Sequence, residues 1–270
     1  NALSLARQYN CTFPGLVRSW RGYFHEGRAA LTGQPDSTTI KPKLPFGFVQ
    51  LSSNREGHLF SFTFGFPDIR WQQTADFGFV PNAELTETFM AVAVDLPDPE
   101  SPDTPIHPRN KHEISQRLFL GAMGIAYPGM RETSFRYQGP IPSKYRAMTN
   151  GQTLRIIFDI DQLEVRNKTG FEVCCKNTTE PCPSSNTANW VAAPIVNNSP
   201  NSITLSWSKC GGNKKLLAIR YLWRETPCPY KKCAIYDSST DLPAPPYIYY
   251  KMRTDTKRDQ RFERRETVLL

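Results

Sequence analysis

Apolar residues in the first half of this chain recur at helical spacing and then at strand spacing. Leu16, Val17, Trp20 and Phe24 fall three or four apart, behind Thr12 as an N-cap and Pro14 in the first turn, which predicts an amphipathic helix. Pro45–Leu51 and Phe89–Leu96 are short, nearly continuous apolar runs, the pattern of strands covered on both faces. Asp68–Phe79, opening with Ile69, Arg70, Trp71 and Gln73, predicts a second helix. Ile114, Leu118 and Ala122 at four-residue spacing predict a third, from about Arg109 to Ala126. Residues 33–43 and 54–66 read as loops. The order helix, strand, helix, strand, loop, helix describes part of a three-layer α/β domain over residues 1–130.

Past residue 130 the period drops to two. Leu154, Ile156, Phe158 and Ile160 alternate with more polar neighbours, as do Ile203, Leu205 and Trp207, then Leu217, Ile219, Tyr221 and Trp223. Short alternating strands separated by Asn, Gly and Pro clusters predict an antiparallel β-rich, sandwich-like domain over 131–250. Pro227–Pro246 reads as an irregular strap, with Cys228 and Cys233 close enough in sequence for a local bridge. The basic tail, 251–270, mixes charges of both signs at a density that predicts disorder. No internal repeat is visible.

Composition narrows the setting. Six of the seven cysteines lie in the last hundred residues without paired C-x-x-C zinc spacing, which favours disulfides and an oxidising, secretory-pathway compartment. The sequons at Asn10, Asn167, Asn177 and Asn197 point to the same compartment as glycosylation sites, with Pro200 weakening the last. Cys11 is the odd cysteine, free or bonded to another chain. The chain opens at Asn1, which suggests a removed leader or an internal fragment. No run approaches the roughly 20 apolar residues of a membrane span. The net charge of +8 comes without a nucleic-acid recognition motif, so nucleic acid is not an expected partner.

The chemistry is half present. There is no Gly-x-Ser-x-Gly elbow, no Gly-Asp-Ser or Gly-Gln-Ser nucleophile, and no phosphate-binding glycine loop. His112-Glu113-Ile114-Ser115-Gln116 misses the second histidine of a zinc helix, so neither a metal nor any other cofactor is expected. His107, in Ser101-Pro-Asp-Thr-Pro-Ile-His107, follows the apolar strand of residues 89–96. Loops leaving the carboxyl ends of strands carry active sites in open α/β sheets. A histidine there can take a proton from a serine hydroxyl, and Asp95, Asp98 or Asp103 offers an orienting carboxylate. Ser101, six residues from the histidine, reads as a turn residue.

Several segments carry a resemblance. Tyr9-Asn-Cys-Thr-Phe-Pro-Gly-Leu, Pro45-Phe-Gly-Phe-Val-Gln-Leu-Ser-Ser, Ile69-Arg-Trp-Gln-Gln-Thr-Ala-Asp-Phe-Gly-Phe-Val-Pro-Asn82 and Ile106-His-Pro-Arg-Asn-Lys111 resemble the C-terminal half of the sialate O-acetylesterases. Cys174-Cys175, Ala218–Trp223, Pro227–Cys233 and Leu242-Pro-Ala-Pro-Pro246 continue it in collinear order to about residue 250. The resemblance implies the end of an SGNH-type serine esterase domain followed by a β-rich domain. Such enzymes remove O-acetyl groups, chiefly from the 9-position of sialic acids, in lysosomes or after secretion.

On that resemblance His107 is the base, with Asp103 or alternatively Asp95 as orienting acid, because Thr104 stands where many SGNH enzymes place their Asp. Arg70 and Gln73 match an Arg-x-x-Gln feature near the substrate. The nucleophilic serine lies in a segment that these 270 residues lack, so the expected partner is the missing N-terminal half, linked through Cys11. Lysosomal forms of such enzymes consist of two disulfide-linked pieces. The chain alone is expected to be inactive, and residues 1–130 are expected to expose apolar edges without their partner. The alternative is a non-catalytic glycan-binding or structural protein.

Overall fold

The computed structural model describes residues 8–32, 43–54, 65–130, 132, 135–148, 150–178, 180–184, 188–212 and 214–250. The basic tail and most of both predicted loops lie outside the described residues.

The first helix, α1 (Tyr9–Thr32), begins earlier than its sequence signals suggest. Thr12 therefore does not cap it, and Pro14 lies inside, near enough to the start that only one helical hydrogen bond is lost. Two short strands, β1 (Phe46–Val49) and β2 (Thr88–Ala91), pair in parallel with Gly47 beside Phe89 and Phe48 beside Met90. That register sends the two pairs to opposite faces. Phe48 meets Phe13 of α1 at 4.9 Å between ring centroids. On the other face lies α3 (Lys111–Ile125), begun by Asn110, whose side chain accepts from the Glu113 N–H. The layers run helix, parallel pair, helix.

Between β1 and β2 comes α2 (Phe66–Gln72), much shorter than the predicted 68–79. The chain leaves helical geometry because Ala75 and Asp76 adopt left-handed backbone angles, φ 52° and 65°. Thr74 consolidates the turn, its hydroxyl donating to Trp71 and accepting from the Gly78 N–H. The predicted strand 89–96 also breaks off early. After Ala91 the chain turns, carrying buried Val92 and Val94 into the main core.

α3 faces the sheet with Arg117, Gly121 and Gly124 rather than with the apolar stripe Ile114, Leu118 and Ala122, whose members are only partly buried. The cause is Phe89, whose ring lies between Gly47 of β1 and Gly121 of α3. A Cβ on Gly121 would sit 2.7 Å from that ring, and Gly124 is likewise covered by Tyr137. The apolar stripe of α1 is divided too: Phe13 and Val17 are buried, whereas Trp20 and Phe24 stay 48% and 57% exposed.

From Pro142 onward the chain is antiparallel. The strands are β3 (Pro142–Met148), β4 (Thr153–Phe158), β5 (Leu163–Val165), β6 (Phe171–Lys176), β7 (Trp190–Ala192), β8 (Ile195–Ser199), β9 (Ser202–Ser206), β10 (Lys215–Tyr221), β11 (Ile235–Asp237) and β12 (Tyr247–Tyr249). They form sheets ordered β3-β4-β9-β8 and β12-β10-β6-β7, plus the pair β11-β5. Leu154, Ile156, Ile203 and Leu205 of the first sheet share one buried cluster with Phe171, Val173, Leu216 and Tyr221 of the second. This is the two-sheet packing that the alternating pattern predicts.

One predicted register is corrected. Leu217 does not join Ile219 and Tyr221, because a β-bulge between Leu216 and Ala218 inserts an extra residue and turns Leu216 inward instead. Trp223 is displaced as well. Leu222, at φ 51°, ends the strand, and Trp223 packs against Trp71 in a second cluster on the far face of the sheet.

Three disulfides staple this region: Cys174–Cys182, Cys175–Cys210 and Cys228–Cys233. Cys175–Cys210 joins β6 to the turn after β9 and so connects the two sheets. The predicted local bridge of the strap is present, and Cys11 is free and exposed.

Replacing Gly121 with Val is expected to destabilise the chain by about 1–3 kcal/mol in urea unfolding, by forcing the Phe89 ring aside. Adding Phe89→Leu should return part of that loss; if the two costs simply add, the ring is not the obstacle.

Candidate active site

The segments that follow both parallel strands converge. Residues 50–53, after β1, lie beside 92–95, after β2: Gln50 N–H donates to the Ala91 carbonyl, Ser52 Oγ to Ala93 and Ser53 Oγ to Val94. From this shelf the chain runs through Asp95 into the histidine loop.

Asp95 and Arg117 form a buried ion pair at the foot of the loop, with side chains 0% and 4% exposed. Arg117 Nη2 donates to Asp95 Oδ2 at 2.9 Å, its Nη1 also reaches the Val92 carbonyl, and Tyr236 Oη donates to Asp95 Oδ2 at 3.0 Å. Burial works against the Arg117 charge, yet the Asp95 contacts outweigh it and hold the arginine pKa above its ordinary value. Burial, reinforced by the Asp95 charge, pushes the Tyr236 hydroxyl pKa up, so the phenol stays a donor.

Higher in the loop, Asp98 clasps Arg109. Arg109 Nε and Nη2 each donate at 2.8 Å to its two carboxylate oxygens, and the Arg109 N–H adds a third bond at 2.9 Å. These bonds lower the Asp98 pKa to about 2. Ser101 Oγ donates to the His107 carbonyl at 2.7 Å, so that hydroxyl serves the loop itself.

His107 is exposed, and its Nδ1 lies 2.7 Å from the main-chain carbonyl of Asp103 and 3.2 Å from Thr104 Oγ1. A carbonyl only accepts, so Nδ1 carries the proton, and in the neutral ring Nε2 is left as the acceptor. That tautomer is the one a general base needs. The orienting contact is therefore peptide oxygen: the structure brings the Asp103 carbonyl, not its carboxylate, to the ring, and Asp95 is engaged by Arg117 and Tyr236. Thr104 holds φ 80°, a left-handed angle that costs a non-glycine residue about 1–3 kcal/mol and is retained where the surrounding loop imposes it.

Arg70 and Gln73 lie beside the shelf. Arg70 is fully buried and donates to the carbonyls of Leu51, Ser52, Arg224 and Glu225. Desolvation lowers its pKa to about 9, against the pull of the Glu225 charge. Gln73 accepts from the Leu51 N–H and donates to the Val49 carbonyl, occupying the open side of the chain where β1 ends. The Arg-x-x-Gln pair shapes the shelf through main-chain contacts.

The strap adds residues for which the sequence carried no signal. Within the Cys228–Cys233 loop, Lys231 N–H donates to the Asp95 carbonyl, and Lys231 Nζ pairs with Glu113 of α3 at 2.8 Å. Tyr230 Oη accepts from the Asn110 side chain. Only their distance in sequence, from 118 to 136 residues, hid them.

Among the sequons, Asn10 Nδ2 donates to Asp76, and Asn167 Oδ1 accepts from both the N–H and the hydroxyl of Thr169. Asn177 and Asn197 are exposed. No group of three or more potential metal ligands occurs among the described residues, and none of their helices is long and apolar enough to cross a membrane.

Comparison with known proteins agrees with the resemblance. Residues 143–251 match the family model of the sialate O-acetylesterase C-terminal domain. The chain is 42% identical to the mouse sialate O-acetylesterase over 241 residues and 41% identical to the human one over 244, which is 89% and 90% of its length. It spans about 40% of the length of the curated relatives it matches.

Removing Arg117 as Arg117→Ala should cost about 3–5 kcal/mol in chemical unfolding, since a buried carboxylate loses its partner. Stabilisation from the Asp98 clasp should be fully present above the ordinary carboxyl range near 3.8 and be lost as pH falls through about 2. A carboxyl titration followed by NMR checks this; an Asp98 midpoint at 3.8 or above contradicts it.

Proposed function

Starting from its shown resemblance to the C-terminal part of the sialate O-acetylesterases, we propose that this chain supplies the base-bearing portion of a serine esterase. The substrate is an O-acetylated, chiefly 9-O-acetylated, sialic acid. The observation that carries the reading is the exposed His107 imidazole, with its Nδ1 held by a peptide carbonyl, on a loop leaving the carboxyl end of a parallel strand.

In the reaction, Nε2 takes the proton from a serine hydroxyl as its oxygen attacks the acetyl carbonyl carbon. The tetrahedral intermediate collapses, the C–O bond to the sugar breaks, and the imidazolium returns its proton to the departing sugar oxygen. Water activated by the same nitrogen then hydrolyses the acetyl-serine and releases acetate. The Asp103 carbonyl, with Thr104 beside it, keeps the ring in the productive tautomer throughout, in the orienting role that the resemblance implies for a carboxylate of Asp103 or Asp95. Arg70 and Gln73 serve the substrate from beside it, by fixing the shelf that lines the site.

The serine and its oxyanion donors come from an N-terminal portion of the same enzyme, and residues 1–130 complete its SGNH-type three-layer domain. The edge of β1, unpaired among the described residues, and the exposed apolar side chains Leu16, Trp20, Tyr23 and Phe24 of α1 support this reading as the surface that portion covers. Cys11, exposed on the same helix, provides the disulfide to it. Three internal disulfides suit a secreted or lysosomal protein, glycosylated at its sequons.

The chain alone is expected to hydrolyse 4-nitrophenyl acetate no faster than buffer, and the chain joined to the N-terminal portion to do so readily. His107→Ala in the joined protein should lower kcat by about 10²–10⁴-fold. Undiminished hydrolysis by that variant, with its fold intact, would sink the assignment.

A further inference from the structure

The sheet β3-β4-β9-β8 turns one face to the core and the other outward, and the outward face carries an unbalanced charge. Its four strands contain no Asp or Glu. They contain three cations, Lys144, Arg146 and Arg155, all at positions alternating with the buried Tyr145, Leu154 and Ile156. The register sets Arg146 directly opposite Arg155, Arg155 opposite Thr204, and Thr204 opposite Asn197, a single row across the sheet.

Like charges directly opposite in neighbouring strands repel. Elsewhere three sheltered arginines pair with carboxylates, Arg117 with Asp95, Arg166 with Asp241 and Arg220 with Glu172, and the buried Arg70 is satisfied by four main-chain carbonyls. Here no carboxylate is supplied among the described residues. Arg155 Nε and Nη2 lean on the Ser202 hydroxyl at 3.2 and 3.0 Å, and Ser202 in turn lies 2.6 Å from Ser199 Oγ. Arg146 Nε is itself buried and has no hydrogen-bond partner among the described residues. The register places two arginine side chains on one face of adjacent strands, and an anion bridging their guanidinium groups turns the repulsion into attraction.

We propose that this face is a second binding site, separate from the histidine loop, for a glycan bearing a carboxylate, held between Arg146 and Arg155. Thr204 and Asn197, in the same row, face its hydroxyl and amide groups. No outward position on these strands is aromatic, so the face has nothing on which to stack nucleic-acid bases. Met148, Ile157 and Val196 give it too little apolar area for the centre of a protein interface. The choice of sialic acid as the acidic sugar rests on the proposed function; the anion site does not.

The test is titration of the intact chain with 3′-sialyllactose, which has no ester to hydrolyse, followed by NMR, with lactose and a heparin hexasaccharide in parallel. The same titration on the His107→Ala chain separates this site from the catalytic reading, because binding is expected to survive that change. The sialylated sugar is expected to bind, lactose not to bind, and Arg146→Ala with Arg155→Ala to weaken the sialylated sugar by about tenfold or more. Thr204→Glu, which places a carboxylate in the row, should block the site without removing either arginine. Equal binding of lactose, stronger binding of the heparin fragment, or undiminished binding by both variants would overturn the proposal.

Discussion

The ion pair between Asp95 and Arg117 holds the molecule's parts to one another. Asp95 ends the run that follows β2, Arg117 is the middle of α3, and Tyr236 of β11 donates to the same carboxylate. A charge buried this deeply is tolerated only when its partners are in place, so the three elements are fixed jointly or not at all. Lys231 adds a peptide bond's N–H to the Asp95 carbonyl from the disulfide-closed strap. The histidine loop begins at that residue, and its geometry is inherited from the pair beneath it.

This arrangement explains why the α/β part and the β-rich part are not independent bodies. Val92 and Val94 sit in the same buried cluster as the inner residues of both sheets. Arg70 reaches from α2 to the carbonyls of Arg224 and Glu225, more than 150 residues away in sequence. The C-terminal region acts as the back wall of the loop that carries His107. The β-rich region thus has a mechanical task as well as its own outward surface, where Arg146 and Arg155 stand without carboxylates among the described residues.

Much of the architecture was legible because burial imposes period. Leu154, Ile156, Phe158, Ile203 and Leu205 alternate in the sequence and line the core in the structure. The errors fall where one residue changes the local count or a single side chain overrides a pattern. The bulge at Leu216–Ala218 reversed the inward face of β10, left-handed Ala75 and Asp76 ended α2 early, and the Phe89 ring made glycines, not leucines, the packing face of α3. None of these leaves a periodic trace.

The sequence by itself determined the chemistry on offer: a histidine in a loop after an apolar strand, six cysteines able to pair, and no nucleophile motif beside them. These follow from residue types and spacing, which are local. Tertiary structure decided what each group does with its neighbours. It gave His107 a peptide carbonyl for its Nδ1 proton, spent Asp95 on Arg117 and Tyr236, and spent Arg70 and Gln73 on main-chain atoms of the shelf. Hydrogen-bond and ion-pair partners are chosen by proximity in space, and the chain's crossings, bulges and turns set that proximity.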